Sequence, residues 1–259
     1  MRFLFGTRAA KAADALFKYG VGGTVFDGGW SPSDVTDVAA WYYLEPDGLS
    51  DGQIIDTVTD LSGAGAEDIT QPSASLQPTY DAATGGWETT SAGGNLLGAS
   101  LTDWKFLHGG GASITFRAAI DTAVNTYFLN TQWGPNPGSG AQLAWVGAAG
   151  FWTLRVDSIG RNFIPASAPT TGQMYVVTCT WAADGSAKIY LDGVEVASWA
   201  AGSFAFNTND QASKLVIGSA YQSGIGSSDM IVTDVIIGTE YVDATQALAI
   251  YNGLDGLRS

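Results

Sequence analysis

Four aspartates lie close together in a loop-rich stretch and could act as metal ligands. They are Asp47, Asp51, Asp56 and Asp60, and the first two each precede a glycine. A Ca²⁺ ion prefers several carboxylate or carbonyl oxygens, so this group is a candidate calcium site. The spacing is not that of an EF-hand loop, and Asp-Gly pairs also form simple turns. We therefore assign no cofactor and no metal ligand, with calcium as the open alternative.

Two further pairs of residues have the side chains that recognise sugars. Aromatic rings stack on sugars, and a few polar groups then fix the ligand. Trp133 and Asn136 form one candidate glycan-binding pair, and Tyr221 and Asp229 form the other. Trp133 ends a segment predicted to be a strand, and the other three residues lie in segments predicted to be loops. Trp133 is equally suited to a protein core, since tryptophan is highly buried on average.

The segment that begins at His108 and continues with three glycines is similar to the oxyanion loop of some esterases. Those enzymes also need a Gly-x-Ser-x-Gly motif and a histidine late in the chain. Neither is present, because His108 is the only histidine. We interpret the segment as a glycine turn with an exposed histidine and assign no catalytic residue. With Cys179 as the only cysteine, an intramolecular disulfide and a single-chain zinc site are also excluded.

The composition limits the partners of this chain. Its 259 residues carry a net charge of −14, which argues against nucleic acid as a partner, since phosphates require clustered Lys and Arg. No apolar run is long enough for a membrane-spanning helix. Arg8 and Lys11 interrupt the first apolar residues too early for a secretory signal. The 34 glycines and many aromatic residues favour short strands joined by tight turns.

Residues 1–34 differ from the rest and are predicted to be an anchoring arm with a linker. Residues 1–20 hold four basic residues and one aspartate, a local charge of +3, whereas the remaining chain carries −17. Residues 7–19 favour a short helix, and residues 20–32 contain five glycines. The side chains predicted to dock on a partner are Arg2, Phe3, Phe5, Arg8, Lys11, Leu16, Phe17 and Lys18.

One all-β domain is predicted over residues 35–259. Strands are expected at residues 38–44, 113–117, 126–133, 142–146, 151–157, 215–218 and 230–237, in addition to three at 173–200. Those three are predicted to form a meander with Asp-Gly turns at Asp184 and Asp192. Because side chains alternate between the two faces of a strand, Cys179 is predicted to be a buried core thiol. Residues 243–252 switch to a helix that Asp243 caps and that Gly253 ends.

The order of these elements resembles the concanavalin A-like lectin/glucanase superfamily, and within it the laminin G-like domains of bacterial and phage surface proteins. The resemblance covers roughly residues 38–252. It rests on Ala40-Trp41-Tyr42, on the run from Val58 to Gly63, on Gln71-Pro72, on the run from Gln77 to Tyr80, on the hairpin from Lys188 to Val196, and on the run from Leu215 to Gly218. It implies a jelly-roll sandwich of two antiparallel sheets that recognises carbohydrate or protein, in some members with bound calcium.

The glucanase branch of that superfamily carries two glutamates on one strand, as Glu-x-Asp-x-Glu, for nucleophile and acid/base roles. This chain has five glutamates, no two of them close in sequence. The chain is therefore expected not to be an enzyme.

Tailed-phage surface proteins often combine a short N-terminal anchoring segment with a lectin-like outer domain. The resemblance therefore implies a non-enzymatic structural protein on the surface of a bacteriophage virion, as a head decoration, a fibre or a tail-associated adhesin. The arm would dock on other virion proteins, and the sandwich would face host glycans. The alternatives are a bacterial surface carbohydrate-binding module, a polysaccharide-degrading glycoside hydrolase, and a cement protein that binds no sugar. A homo-oligomer is compatible with the sequence, although no heptad repeat indicates one.

Overall fold

Two antiparallel sheets face each other across an apolar core. The structure is a computed structural model that describes residues 30–44, 48–90, 94–98, 104–120, 125–131, 140–156, 159–165, 168–206, 214–219 and 229–257. The strands are β1 (Val38–Tyr43), β2 (Thr57–Val58), β3 (Ile69–Thr70), β4 (Thr79–Asp81), β5 (Gly86–Thr89), β6 (Leu96–Gly98), β7 (Ala112–Ile120), β8 (Asn125–Asn130), β9 (Ala141–Val146), β10 (Phe151–Val156), β11 (Ile159–Phe163), β12 (Met174–Trp181), β13 (Ala187–Leu191), β14 (Val194–Trp199), β15 (Leu215–Ile217) and β16 (Met230–Gly238). Short 3-10 helices occupy Pro32–Asp34, Ala74–Leu76, Lys105–His108 and Gly147–Ala149, and one α-helix, α1, spans Ala244–Gly256.

The first sheet has the strand order β14-β13-β12-β7-β16-β5-β4. The long strand β16 pairs with β7 on one side and with two strands on the other. Its first half pairs with β5, as in Val232 opposite Trp87, and its second half pairs with β1, as in Val235 opposite Tyr42. A register shift between Val232 and Asp234 separates the two halves. Distant parts of the sequence thereby join one sheet.

The second sheet has the strand order β11-β10-β9-β8-β15-β6-β3-β2. The strands β8, β9, β10 and β11 are consecutive hairpins, whereas β15 inserts between β8 and β6 from far along the chain. The space between this sheet and the first is filled by aliphatic and aromatic side chains. Among the described residues, the fully buried tryptophans are Trp87, Trp104, Trp145, Trp152 and Trp181.

The meander predicted at residues 173–200 is confirmed as β12, β13 and β14. Asp192 and Gly193 both have positive φ, 50° and 75°, as the two-residue Asp-Gly turn requires. The other predicted Asp-Gly turn is longer, because only Gly185 has positive φ and the loop closes from Ala182 to Ser186. Cys179 is fully buried in the core as expected, and burial raises the pKa of its thiol.

The helix α1 packs on the outer side of the first sheet. Asp243 caps it by accepting a hydrogen bond from the backbone N–H of Gln246, whose side chain accepts one in return from the N–H of Asp243. The predicted end at Gly253 is wrong, because the helix continues to Gly256. At Gly253 the indole of Trp30 lies against the helix where a Cβ would be. This glycine therefore serves packing rather than termination.

The prediction of an all-β sandwich of two antiparallel sheets with a short C-terminal helix is confirmed. The predicted short helix at residues 7–19 and all eight docking residues of the arm lie outside the described residues. Residues 30–34, which we assigned to the arm, contact the sandwich: Pro32 is buried, and Trp30 packs edge-on against Trp41, with ring centroids 6.5 Å apart.

Candidate functional site

A continuous row of residues crosses the outer side of the second sheet. Adjacent members of the row are direct cross-strand partners, and its central pair is Val216 with Asn130. The complete row is Thr57, Thr70, Leu97, Val216, Asn130, Gln142, Arg155 and Gly160. Side chains alternate between the two faces of a strand, and the neighbours of these residues, such as Leu143 and Leu154, belong to the core. The row therefore faces away from the core.

A β-bulge in β8 determines which side chains reach this outer side. The register shifts between Tyr127 and Leu129, so that Phe128 and Leu129 both enter the core. The extra residue returns Asn130 to the outer side, beside Gln142 on β9. Without the bulge, strict alternation would place Tyr127 and Asn130 on opposite sides of the sheet.

Accessible polar side chains cluster on the outer side of β8, β9, β10 and β11. We call this group the Arg155 face; it consists of Tyr127, Gln142, Thr153, Arg155 and Asn162. Asn162 is exposed and the other four are half-buried. The face combines one aromatic ring with amide, hydroxyl and guanidinium groups on a rigid sheet, which is a suitable surface for a polyhydroxylated ligand.

The guanidinium of Arg155 lies beside Gly160, its cross-strand partner on β11. A Cβ built at Gly160 would lie 3.4 Å from Nε and 3.8 Å from Nη2 of Arg155. The Nε atom is buried and has no hydrogen-bond partner among the residues that the structure describes. The N–H group at Nε of Arg155 is thus a hydrogen-bond donor without an acceptor among the described residues.

The second arginine on β10 and β11 has a different role. Arg161 is the cross-strand partner of Leu154 and points toward the first sheet. Its Nε and Nη2 donate hydrogen bonds of 3.0 and 2.6 Å to the carbonyl of Ser203, and its guanidinium lies 5.9 Å from the ring centroid of Phe204. Arg161 therefore ties the edge of the second sheet to the loop after β14.

The second sheet also differs from the first in charge. None of the residues in its eight strands, all of which the structure describes, is Asp or Glu. The strands of the first sheet, by contrast, contain Asp81, Glu88, Glu195 and Asp234. In a chain with a net charge of −14, the strands that carry the Arg155 face are thus free of carboxylates.

Most of the predicted glycan-binding residues lie outside the described residues. Trp133 and Asn136 belong to the connection between β8 and β9, and Tyr221 precedes β16 by several residues; none of these three is described. Asp229 is described and lies half-buried directly before β16. Their role in binding stays a prediction.

Arg155 was not among the binding residues predicted from the sequence, although the sequence contains a signal for it. In the run from Phe151 to Val156, Trp152 and Leu154 alternate with Thr153 and Arg155. That alternation places the polar pair on the outer side of a strand. What the pattern does not contain is the register that brings Gln142 beside them.

Two of the four aspartates considered as calcium ligands, Asp60 and Asp51, accept backbone hydrogen bonds. Asp60 accepts hydrogen bonds from the backbone N–H groups of Trp41 and Ser62, 2.9 and 3.0 Å long, and thereby holds a loop against β1. Asp51 accepts one from the N–H of Ala82, and Asp47 lies outside the described residues. Within the described part of the chain, no group of three or more potential ligands could hold a metal ion.

A cleft of about 380 Å³ lies between the end of β1 and the segment before β2. Its lining is mixed and includes Tyr43, Leu49, Gln53, Ile54, Asp56 and Leu61. Asp56 and Ile54 are exposed there, the latter by 57%.

The prediction that His108 is exposed is wrong. The residue is only 3% exposed, and its Nε2 is 2.8 Å from Oγ1 of Thr131, the residue after Asn130. Burial, with a contribution from the nearby charge of Lys105, lowers the pKa of His108 to about 4. The imidazole is therefore neutral at physiological pH and belongs to the interior behind β8.

Three glutamates are engaged in local contacts. Glu67 accepts a hydrogen bond from the indole of Trp104 at 3.2 Å, and Glu195 forms a 2.7 Å ion pair with Lys188. Glu240 accepts one from the backbone N–H of the residue before β1. Each carboxylate thus stabilises a different part of the fold.

Comparisons with known proteins concern the fold. No protein-family model and no curated protein sequence matches this chain. The binding domain of botulinum neurotoxin serotype D is similar in structure, with a TM-score of 0.58, 16% sequence identity, and coverage of 84% of this chain and 52% of that one. Botulinum neurotoxin type C, which interacts with two ganglioside molecules, matches with a TM-score of 0.59 and 15% sequence identity, covering 86% of this chain and 53% of that one. The chain thus spans about half the length of these toxin domains.

A sialidase has a similar fold as well. The sialidase of Trypanosoma rangeli, in complex with sialic acid, matches with a TM-score of 0.63 and 14% identity, covering 97% of this chain and 38% of that one. At such identities the similarity supports a β-sandwich fold and leaves the concanavalin A-like, laminin G-like assignment a prediction. No helix in the described ranges is both long and apolar enough to cross a membrane.

Proposed function

We propose that this protein is a carbohydrate-binding domain that holds its glycan on the Arg155 face. The observation that carries the proposal is the face itself, with an aromatic ring and four polar side chains on the outer side of β8 to β11. Two structural neighbours, a neurotoxin and a sialidase, interact with glycolipid or sugar. The proposed assignment to the laminin G-like sandwiches is compatible with the same role.

The protein acts as a binder and not as a hydrolase in this proposal. Most glycoside hydrolases use two carboxyl groups about 5–10 Å apart on either side of the bond, whereas sialidases use a tyrosine nucleophile. The Arg155 face lies on strands without Asp or Glu, and Glu67 and Glu195 have other partners. The sialidase similarity makes hydrolysis the alternative, and release of reducing ends from a bound glycan would support that alternative instead.

A glycan array with the full chain tests the proposal. Tyr127→Ala removes the aromatic ring of the face, and Ser198→Ala, on the exposed edge strand β14 of the first sheet, is the matched control. We expect binding to a defined set of glycans, weakened about tenfold or more by Tyr127→Ala and unchanged by Ser198→Ala. Absence of any bound glycan, or equal binding by both variants, would overturn the proposal.

We further propose that the domain is displayed on a bacteriophage virion, where residues before Trp30 dock on another virion protein. The support is the sequence contrast between a basic, apolar start and a strongly acidic remainder. Replacing Arg8, Lys11 and Lys18 together by Glu in the full chain should abolish capture by emptied phage particles. Replacing Lys105, Lys188 and Lys214 by Glu is the control with the same charge change. Equal capture of both variants would contradict docking through this segment.

A further inference from the structure

We infer that the ligand of the Arg155 face is an acidic sugar, and that Arg155 binds its carboxylate. This inference rests on the proposed carbohydrate-binding function and specifies the chemical class of the glycan. A planar guanidinium pairs with a carboxylate through two parallel hydrogen bonds, which gives both strength and orientation. The acidic sugars with such a group are sialic acids and uronic acids.

The first support is the missing hydrogen bond at Nε of Arg155. Its Nε is buried without a hydrogen-bond partner, whereas the other arginine of the sheet, Arg161, donates twice to the carbonyl of Ser203. A half-buried arginine that has no structural bond at this atom retains an unsatisfied donor, which is costly to keep without a function. The two arginines lie on adjacent strands but on opposite faces of the sheet, so that Arg161 serves the packing of the two sheets and Arg155 faces outward.

The second support is the charge around Arg155. Its cross-strand partners are Gln142 and Gly160, both uncharged, and no strand residue of the second sheet is acidic. The strand residues around Arg155 therefore add no negative charge to this part of the sheet, in a chain whose net charge is −14; Asp157, the residue after β10, lies outside the described residues. Gln142 and Asn162 lie beside Arg155 and can serve the hydroxyl groups of the same sugar.

The third support is the absence of a side chain at Gly160, an exposed residue. A Cβ built there would lie at ordinary contact distance from the guanidinium of Arg155, 3.4 Å from Nε and 3.8 Å from Nη2. The glycine thus leaves the β11 side of the guanidinium uncovered by a side chain. The same position permits a variant that supplies the carboxylate from the protein itself, namely Gly160→Asp.

The test measures binding of the full chain to 3′-sialyllactose, to a glucuronic-acid disaccharide and to neutral lactose. Arg155→Gln removes the charge, and Lys188→Gln removes one charge from the first sheet as the control. We expect at least one acidic sugar to bind about tenfold or more tightly than lactose, with the preference lost in Arg155→Gln and retained in Lys188→Gln.

Gly160→Asp and Gly160→Asn form a second pair that does not alter Arg155. The two substitutions have the same size, and only Asp supplies a competing carboxylate. Acidic-sugar binding should be much weaker in Gly160→Asp than in Gly160→Asn. Equal loss in both, or an acidic preference that survives Arg155→Gln, would overturn the role of Arg155.

The outcomes separate the two proposals. Tighter binding of sialyllactose or of the glucuronic-acid disaccharide identifies which source supplies the carboxylate. Binding of neutral glycans alone overturns the acidic-sugar inference and leaves the carbohydrate-binding function in place. Absence of binding to every sugar, with thermal unfolding of the variants unchanged, overturns both.

Discussion

Trp30 occupies the place that a side chain at Gly253 would need. Its indole atoms lie within contact distance of that backbone position, and its ring packs edge-on against Trp41. The contact joins the first described residue to the C-terminal helix. This contact explains why a glycine lies within the last turns of α1, although glycine weakens the interior of a helix.

Gly253→Ala should therefore displace Trp30. We expect the free energy of unfolding to fall by about 2 kcal/mol, as for loss of a half-buried aromatic contact, despite the higher helix propensity of alanine. Gly256→Ala, at the end of the same helix, meets no atom within 4 Å and is the control, with no loss expected. Chemical denaturation followed by tryptophan fluorescence measures both. Equal stability of the two variants would contradict the packing role.

His108 should make the stability of the fold depend on pH in the mildly acidic range. Its pKa is about 4 in the folded protein, against an ordinary value of 6.5, chiefly because of burial. Between these two values the unfolded chain takes up a proton that the folded protein does not, so the free energy of unfolding decreases as the pH falls from 6.5 to 4. The full loss is on the order of 3 kcal/mol.

The measurement for His108 is a series of denaturation curves between pH 7 and pH 5, above the range where most carboxylates titrate. Since the chain contains one histidine, His108→Gln should flatten the slope in this interval. The glutamine amide can retain the contact to Thr131. A slope that persists in the variant would show that another group is responsible.

Arg161 should matter for stability and not for sugar binding. Arg161→Met keeps the length of the side chain but removes both hydrogen bonds to the carbonyl of Ser203. We expect a loss of about 2 kcal/mol in the free energy of unfolding, because the substitution removes a charged donor and with it both hydrogen bonds to this carbonyl. Arg155→Gln should show the reverse, with weaker glycan binding and little change in unfolding. Similar profiles for the two variants would contradict the separate roles.

Asp192 should be replaceable by asparagine but not by alanine. The residue has a φ of 50°, and its carboxylate accepts a hydrogen bond from the backbone N–H of Val176. Asn tolerates this backbone conformation and keeps an acceptor, whereas Ala does neither. We expect Asp192→Ala to lower the free energy of unfolding by about 1–2 kcal/mol.

Burial, with a contribution from the charge of Asp255, raises the pKa of Asp192. The folded state thus prefers the protonated carboxyl, so this group destabilises the fold as the pH rises through the acidic range. Asp192→Asn should remove that dependence and be at least as stable as the unmodified protein at pH 7. A less stable asparagine variant would show that the charge itself is required.

Local features of the fold could be predicted from the sequence, and features that depend on distant contacts could not. The turn at Asp192 and the helix cap at Asp243 depend on adjacent residues, and both were predicted correctly. The end of α1 was misplaced at Gly253 because its reason is Trp30, more than two hundred residues earlier. His108 was judged by its glycine neighbours, although Thr131 and the core determine its burial.

The candidate site shows the same limit. The residues favoured from the sequence, such as Trp133 and Tyr221, were chosen as aromatics in loops and lie outside the described residues. Arg155 lies inside a strand among core residues and was interpreted only as part of that strand. Its importance depends on the register with Gln142 and Gly160, which the local pattern does not contain.

The contact between Trp30 and Gly253 also fixes how the molecule can be immobilised. Both residues lie on the outer side of the first sheet, and the Arg155 face lies on the outer side of the second. Trp30 and Leu257, the two ends of the described part of the chain, therefore lie on the side opposite the Arg155 face. Coupling to a sensor chip through a residue near either of them would hold the Arg155 face toward the solution, whereas random coupling through lysines would give a mixture of orientations.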